Sequence, residues 1–212
     1  MIKIEKFVFN TFMVNSYLLY DETGNCILID AACYDPEEED EIRNFLAANN
    51  LTIIRNLNTH CHIDHVLGNN FIAQTYKIRP EYHEKSTLFF HTLKEIGSSF
   101  GYGISQVPEP KRFLEDGETI QLGNSSVNVL YTPGHAEGSV CFYCEDQKFV
   151  ITGDVLFKDT IGRTDLPTGD FDQLMHSIKT KLFTLPGETI VYPGHGPETS
   201  IGYEMANNPF IR

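Results

Sequence analysis

Thr59-His60-Cys61-His62-Ile63-Asp64-His65 is the stretch on which the reading of this chain turns. It sets three imidazoles and a carboxylate within the six positions from His60 to His65. Few structural needs ask for that density of ligating groups. Imidazole suits zinc, iron and other first-row metals, and a neighbouring carboxylate holds or orients a second ion or a water. Residues 53–58 before it read as a buried strand, and residues 66–75 after it as a helix. The cluster therefore falls on a strand-to-helix turn, where side chains converge on one point.

Towards the N-terminus, residues 2–9, 15–21 and 26–30 read as strands, with Thr23-Gly24-Asn25 as the turn between the second and third. Pro36 opens a helix through about residue 49, with acids in its first turn. Residues 51–58 are a mostly apolar β run. Towards the C-terminus, residue 81 to about 96 reads as a helix. Gly97-Ser98-Ser99-Phe100-Gly101-Tyr102-Gly103 then breaks the pattern, as a lid or substrate wall or as a surface turn. Residues 118–122, 126–131, 139–144 and 149–152 are short β runs. Residues 171–182 form an amphipathic helix with Leu174, Ile178 and Leu182 on one face, followed by a strand at 189–192 and a helix at 199–207. Strands precede helices in each of two blocks. That order suits an α/β fold of two sheets packed face to face with helices outside, and a single domain over residues 1–212 is the simpler expectation.

Three polar signals recur just after β runs. Leu130-Tyr131-Thr132-Pro133-Gly134-His135 presents a histidine beyond a Pro-Gly turn, and Ile190-Val191-Tyr192-Pro193-Gly194-His195 repeats the device. Phe149-Val150-Ile151-Thr152-Gly153-Asp154 ends an apolar strand in a carboxylate. With the first cluster the set becomes five histidines and two aspartates. A catalytic zinc needs three protein ligands plus water, so seven candidates exceed one ion and suit two, roughly 3.5–4 Å apart and sharing one carboxylate.

In this order and spacing, Thr-His-x-His-x-Asp-His followed by Gly-His, Gly-Asp and Gly-His resembles the metallo-β-lactamase superfamily across essentially the whole chain. The resemblance implies a four-layer αββα sandwich of two mixed sheets flanked by helices. It implies that His60, His62 and His135 hold a first metal, that Asp64, His65 and His195 hold a second, and that Asp154 bridges them. Where true β-lactamases use a cysteine ligand, this chain has Asp154. Gly162-Arg163-Thr164-Asp165-Leu166-Pro167 and Tyr192-Pro193-Gly194-His195-Gly196-Pro197, with the ending at Asn208-Pro209-Phe210, are similar to short bacterial glyoxalase II-like hydrolases. That similarity implies hydrolysis of a hydroxyacyl thioester such as S-lactoylglutathione by a metal-bridging hydroxide, with two divalent ions, zinc first and iron or manganese as alternatives. Asp64 is then also catalytic, orienting the nucleophile. Full-length glyoxalase II enzymes continue into a helical domain with basic residues for glutathione. The present sequence stops at Arg212, which leaves the thiol carrier open. Persulfide dioxygenases share the same short form and imply a mononuclear iron on His60, His135 and Asp154. A lactonase or other esterase, or a non-catalytic metal-binding module, completes the alternatives.

Arg163 either meets a substrate carboxylate or holds Asp165 or Asp170 in a turn. Phe100, Tyr102 and Phe157 either line a substrate pocket or pack in the core. Cys61 is expected to point away from the metals, and Thr59 to help fix histidine tautomers. His83, His91 and His176 read as surface or packing residues. The net charge of −13 in 212 residues argues against a nucleic-acid partner, and no apolar stretch is long enough to span a bilayer. The alternating start lacks a signal-peptide core, so a cytoplasmic protein acting on a small molecule is expected. Cys26, Cys33, Cys61, Cys141 and Cys144 are an odd number at irregular spacings, against a disulfide framework.

Overall fold

Alternating apolar residues in the first twenty positions make a hairpin. Strands β1 (Lys3–Phe9) and β2 (Val14–Tyr20) pair antiparallel, which turns Phe7, Phe9 and Leu18 into the core. The computed structural model describes residues 1–211. The chain divides into two compact units, the first over Met1–Phe113 and Gln121–Ser125, the second over Leu114–Ile120 and from Ser126 onward.

In the first unit β2 pairs antiparallel with β3 (Asn25–Ile29), and β3 runs parallel to β4 (Thr52–Leu57). A parallel pair needs a crossover, and α1 (Pro36–Asn49) supplies it. Its boundaries are chemically marked: Asp35 caps Glu38 N–H, Pro36 fills the first turn, and Asn50 closes the end in the left-handed region. Ile42 and Leu46 on its inner face join Leu28, Phe71 and Ile72. The single helix expected over residues 66–75 is split into α2 (Ile63–Val66) and α3 (Asn69–Tyr76). The break lies at Gly68, whose N–H donates to Ala31 O. A Cβ there would meet Cys33 Sγ at 2.5 Å.

The helix expected from residue 81 to about 96 is corrected at its start. Pro80–His83 is a strand, β5, parallel to β4. The buried Glu81 carboxylate takes Arg55 from β4 and Arg112 Nε at 2.8 Å, a long-range pairing that fixes the extended form. A 3₁₀ turn over Glu84–Ser86 leads into α4 (Thr87–Phe90) and α5 (Leu93–Ser99), so the first residues of the glycine-rich stretch are helical too. β6 (Arg112–Leu114) completes a six-stranded sheet in the order β1-β2-β3-β4-β5-β6.

The second sheet has six strands as well. It comprises β7 (Thr119–Leu122), β8 (Ser125–Tyr131), β9 (Val140–Cys144), β10 (Phe149–Gly153), β13 (Ile190–Pro193) and β14 (Thr199–Ser200). Their order is β14-β13-β10-β9-β8-β7. Between β10 and β13 lie the small hairpin β11 (Leu156–Phe157) and β12 (Thr160–Ile161), then α6 (Phe171–Ser177), which runs on as a π-helical turn over Ile178–Leu182. Leu174, Ile178 and Leu182 are buried against Cys141, Val150 and Val191, as their helical spacing predicts. α7 (Ile201–Asn207) closes the unit. The structure is thus mixed α/β with two mixed sheets and helices, the class expected. All five cysteines are free and buried. Among the described residues, no helix is long and apolar enough to cross a membrane.

Candidate metal centre

In the first unit, β4 delivers its C-terminal end to the histidine cluster. His60 lies in the link between β4 and α2, His62 on extended backbone at the start of α2, and Asp64 and His65 ride on the one-turn α2. The His60 ring lies 4.7 Å from that of His62 and 4.2 Å from that of His65, centroid to centroid. His65 Nε2 and Asp64 Oδ2 face each other at 3.7 Å.

One buried aspartate orients this half. The parallel register sets Ile29 of β3 beside Leu57 of β4, so Asp30, the next residue, comes up to the segment that leaves β4, within reach of Thr59. Asp30 Oδ1 accepts Thr59 N–H at 2.7 Å, and Oδ2 accepts the Thr59 hydroxyl at 2.7 Å and His65 Nδ1–H at 3.0 Å. Because the Thr59 proton goes to Asp30, Thr59 Oγ1 accepts from His60 Nδ1 at 3.0 Å. Both imidazoles are thereby held with the proton on Nδ1 and the lone pair on Nε2, the tautomer a metal requires. Asp30 was not picked out from sequence. The signal was there: like Asp154, it closes an apolar β run.

In the second unit the three ligand candidates follow β8, β10 and β13. β10 and β13 run parallel with Gly153 opposite Pro193, which brings Asp154 and His195 together. Two glycines make room. Gly134, at φ +136°, lies so close to α6 that a Cβ would fall 2.2 Å from Leu174 N, and at Gly162 a Cβ would fall 1.9 Å from Asp154 O. His135 Nδ1 donates to Arg163 O at 2.8 Å, which again leaves the lone pair on Nε2. His135 Nε2 and His195 Nε2 face the same oxygen, Asp154 Oδ2, at 3.7 and 3.5 Å.

These separations exceed a hydrogen bond, about 2.7–3.2 Å. They match two donors that share one ion, since ligands about 2.1 Å from a tetrahedral metal lie roughly 3.4 Å apart. The donor set, imidazole with carboxylate, is that of zinc, iron or manganese. The residues of each unit therefore fit divalent cations.

The other singled-out residues are placed as follows. Cys61 is fully buried and shares a hydrogen bond with Ser86, and burial pushes its thiol well above the ordinary value. Arg163 forms a bidentate pair with Asp165, 2.7 Å in each arm, on an exposed turn. This pair holds the Asp165 carboxyl at about 2. Phe157 faces the His195 ring at 6.3 Å. Tyr102 is buried, its hydroxyl on Thr11 Oγ1 at 2.5 Å, whereas Phe100 is 57% exposed beside Phe12. His83 lies half-buried on β5, and His91 and His176 are exposed.

Comparison with known proteins decides the family. The model of the metallo-beta-lactamase superfamily matches residues 10–195. The chain belongs to the metallo-beta-lactamase superfamily. Its superfamily relatives include the probable metallo-hydrolase YqgX of Bacillus subtilis, 35% identical over 93% of this chain and 92% of that one. The hydroxyacylglutathione hydrolase GloC of Haemophilus influenzae is 34% identical over 98% and 97%. Among solved structures, the BLEG-1 B3 metallo-beta-lactamase matches with a TM-score of 0.88 at 31% identity, covering 99% of both chains. TTHA1623, in a di-iron-bound form, gives 0.86 at 32%, covering 97% and 99%. ETHE1 from Myxococcus xanthus gives 0.78 at 28%, covering 98% and 83%.

Proposed function

We propose that this metallo-beta-lactamase superfamily member is a dinuclear metal-dependent hydrolase of a hydroxyacyl thioester, of the kind S-lactoylglutathione represents. In this reading His60, His62 and His135 hold one divalent ion, Asp64, His65 and His195 hold the other, and Asp154 belongs to both. The residues of both units then form one metallo-beta-lactamase-like domain over residues 1–212, and the family match, which runs from one unit into the other, supports that. The observation that carries the proposal is the single oxygen, Asp154 Oδ2, faced by two imidazole nitrogens at 3.7 and 3.5 Å. A carboxylate oxygen shared in this way suits two ions. The di-iron form of TTHA1623 and the name of GloC support the metal count and the substrate class respectively. Zinc is the first choice of ion.

Divalent cations held by these residues would lower the pKa of water near neutral pH and favour the developing oxyanion. The chain's own residues do the rest. Asp30 and Thr59 hold His60 and His65 in the lone-pair-forward tautomer. The half-buried Asp64 carboxylate orients water by accepting its hydrogen. Water's oxygen forms the new bond to the acyl carbon and the C–S bond breaks with its electron pair on sulfur; of water's two protons, one goes to the departing thiolate and the other leaves with the carboxylic acid. A thiolate leaves readily, so no strong general acid is needed. In this reading Phe157, whose ring lies 6.3 Å from that of His195, walls the substrate, with Phe100, Tyr102 and Arg163 as candidates at its edge. The partner is thus a small thioester, in a cytoplasmic protein.

The test is metal counted per chain together with turnover on one preparation. Two ions per chain, hydrolysis of S-lactoylglutathione, and a loss of at least about 100-fold in His62→Ala are expected. A metal-free active protein, or unchanged turnover in His62→Ala, refutes the proposal. A second reading, an iron dioxygenase of a glutathione persulfide, draws on the likeness to ETHE1. One iron per chain with oxygen uptake on that substrate decides for it.

A further inference from the structure

The one-turn helix α2 raises a physical question. It carries Asp64 and His65, and a helix of four residues has room for little hydrogen bonding of its own. The amide four residues after Asp64, Gly68 N–H, turns away to Ala31 O at 2.8 Å. Two asparagines outside the helix, Asn58 just before it and Asn10 far back in the chain, donate to the ligand carbonyls. Asn10 Nδ2 donates to Asp64 O at 3.0 Å, and Asn58 Nδ2 donates to His65 O at 3.2 Å.

Each asparagine is itself held. Asn10 sits at the tip of the β1–β2 hairpin with φ +53°, a conformation asparagine tolerates. Its Nδ2 also reaches Ala32 O at 3.0 Å, and its Oδ1 accepts Phe12 N–H at 2.9 Å. Asn58 begins a buried amide chain. Its Oδ1 accepts from Asn69 Nδ2 at 2.9 Å, and Asn69 Oδ1 accepts from Asn56 Nδ2 at 2.8 Å. The three amides point the same way, towards His65 O, so each polarises the next. Asn56, Asn58 and Asn69 are all 0–1% exposed, where a misdirected amide is costly.

We infer that Asn10 and Asn58, the latter through Asn69 and Asn56, are positioning residues for the metal held by Asp64 and His65. They act by fixing the backbone carbonyls of the two consecutive ligands. Two side chains separated by 48 positions pin neighbouring ligands from two sides, so α2 can be a single turn and still aim both. Neither asparagine is placed among the ligands, so the role is one of aim. The inference rests on the two-metal reading above. It predicts an asymmetric effect: one ion is weakened and the other is not.

The experiment loads zinc into the full chain as wild type, Asn58→Leu, Asn10→Ala and Asn49→Ala, then counts metal against a graded chelator. Asn49→Ala is the control, because Asn49 Nδ2 makes the same kind of bond, to Phe45 O at 2.9 Å, on exposed α1. Expected is release of one ion at 10- to 100-fold lower chelator in Asn58→Leu and in Asn10→Ala. Release of the second is unchanged, and the control matches wild type. The melting temperature of the metal-free proteins is read in parallel. If Asn58→Leu fails to fold, the half-buried Asn10 carries the test. Two ions in the wild type, with unchanged or equally weakened release of both in the variants, overturn the asparagine assignment alone. A wild type that takes up one ion overturns the two-metal reading and this inference with it.

Discussion

Asp30 orients the first ligand cluster from beneath a strand end. It accepts from Thr59 N–H, the Thr59 hydroxyl and His65 Nδ1, and through Thr59 it also sets His60. Asp30→Asn keeps the shape and removes the charge, and it presents an amide where His65 Nδ1–H needs an acceptor. We expect zinc affinity to fall about 10- to 100-fold, with kcat/KM falling in parallel and recovering in part at high metal. Chelator competition and steady-state kinetics at two zinc concentrations check this. Retained affinity would show that Thr59 and the backbone suffice. The seven ligand candidates were legible because each belongs to a local pattern: an imidazole cluster, a Pro-Gly-His turn, a strand ending in aspartate. Asp30 was not, because its meaning comes from the β3–β4 register, which sets residues 29 and 57 side by side.

At the scale of elements, α7 serves the hairpin that follows Asp154. The fully buried Glu204 carboxylate accepts from the Thr199 hydroxyl, from Asp159 N–H at 3.1 Å and from Asn208 Nδ2 at 2.8 Å, while Asn208 Nδ2 also reaches Thr160 O. These bonds clamp the β11–β12 turn, whose Phe157 faces His195. Glu204→Ala strands three donors. The expected loss is about 3 kcal/mol in urea unfolding of the metal-free protein, since each orphaned donor costs about 1–3 kcal/mol less what water restores. A shift under about 0.5 kcal/mol would mean that the turn holds by itself. Elements with local punctuation were read nearly to the residue. α1 has its aspartate cap, its proline and its closing asparagine in the sequence itself. β5 had none. Its strand form depends on Glu81 meeting Arg55 and Arg112, partners 26 and 31 positions away, and composition alone made it look helical. The split between α2 and α3 was hidden for the same reason, because at the break Gly68 N–H donates to Ala31 O, 37 positions away.

At the scale of the whole molecule, the five cysteines set a limit on alkaline stability. None forms a disulfide, and all are buried, three in the first unit and two in the second. Burial pushes Cys26 and Cys141 up to about 12, and raises Cys33, Cys61 and Cys144 as well. The sign follows from proton counting. Above about pH 9 the unfolded chain gives up thiol protons that the folded chain retains, so the unfolded state binds fewer protons and stability falls as pH rises. The contribution is fully present below the ordinary thiol value and is lost between it and the raised folded value. Each such thiol contributes a slope of up to about 1.4 kcal/mol per pH unit in that window. The net charge of −13 adds self-repulsion in the same direction. Between pH 7 and 8.5 the urea midpoint of the metal-free protein is therefore expected to stay flat as far as the thiols are concerned. Between pH 9 and 11 it falls steeply. Cys141→Ala removes one thiol from the count and flattens that fall by one group's share, in the unit that carries His135, Asp154 and His195. A slope identical to wild type in that variant would place the titration in another group. Rapid alkylation of the native protein by iodoacetamide at pH 8 would show that the thiols are not closed to solvent.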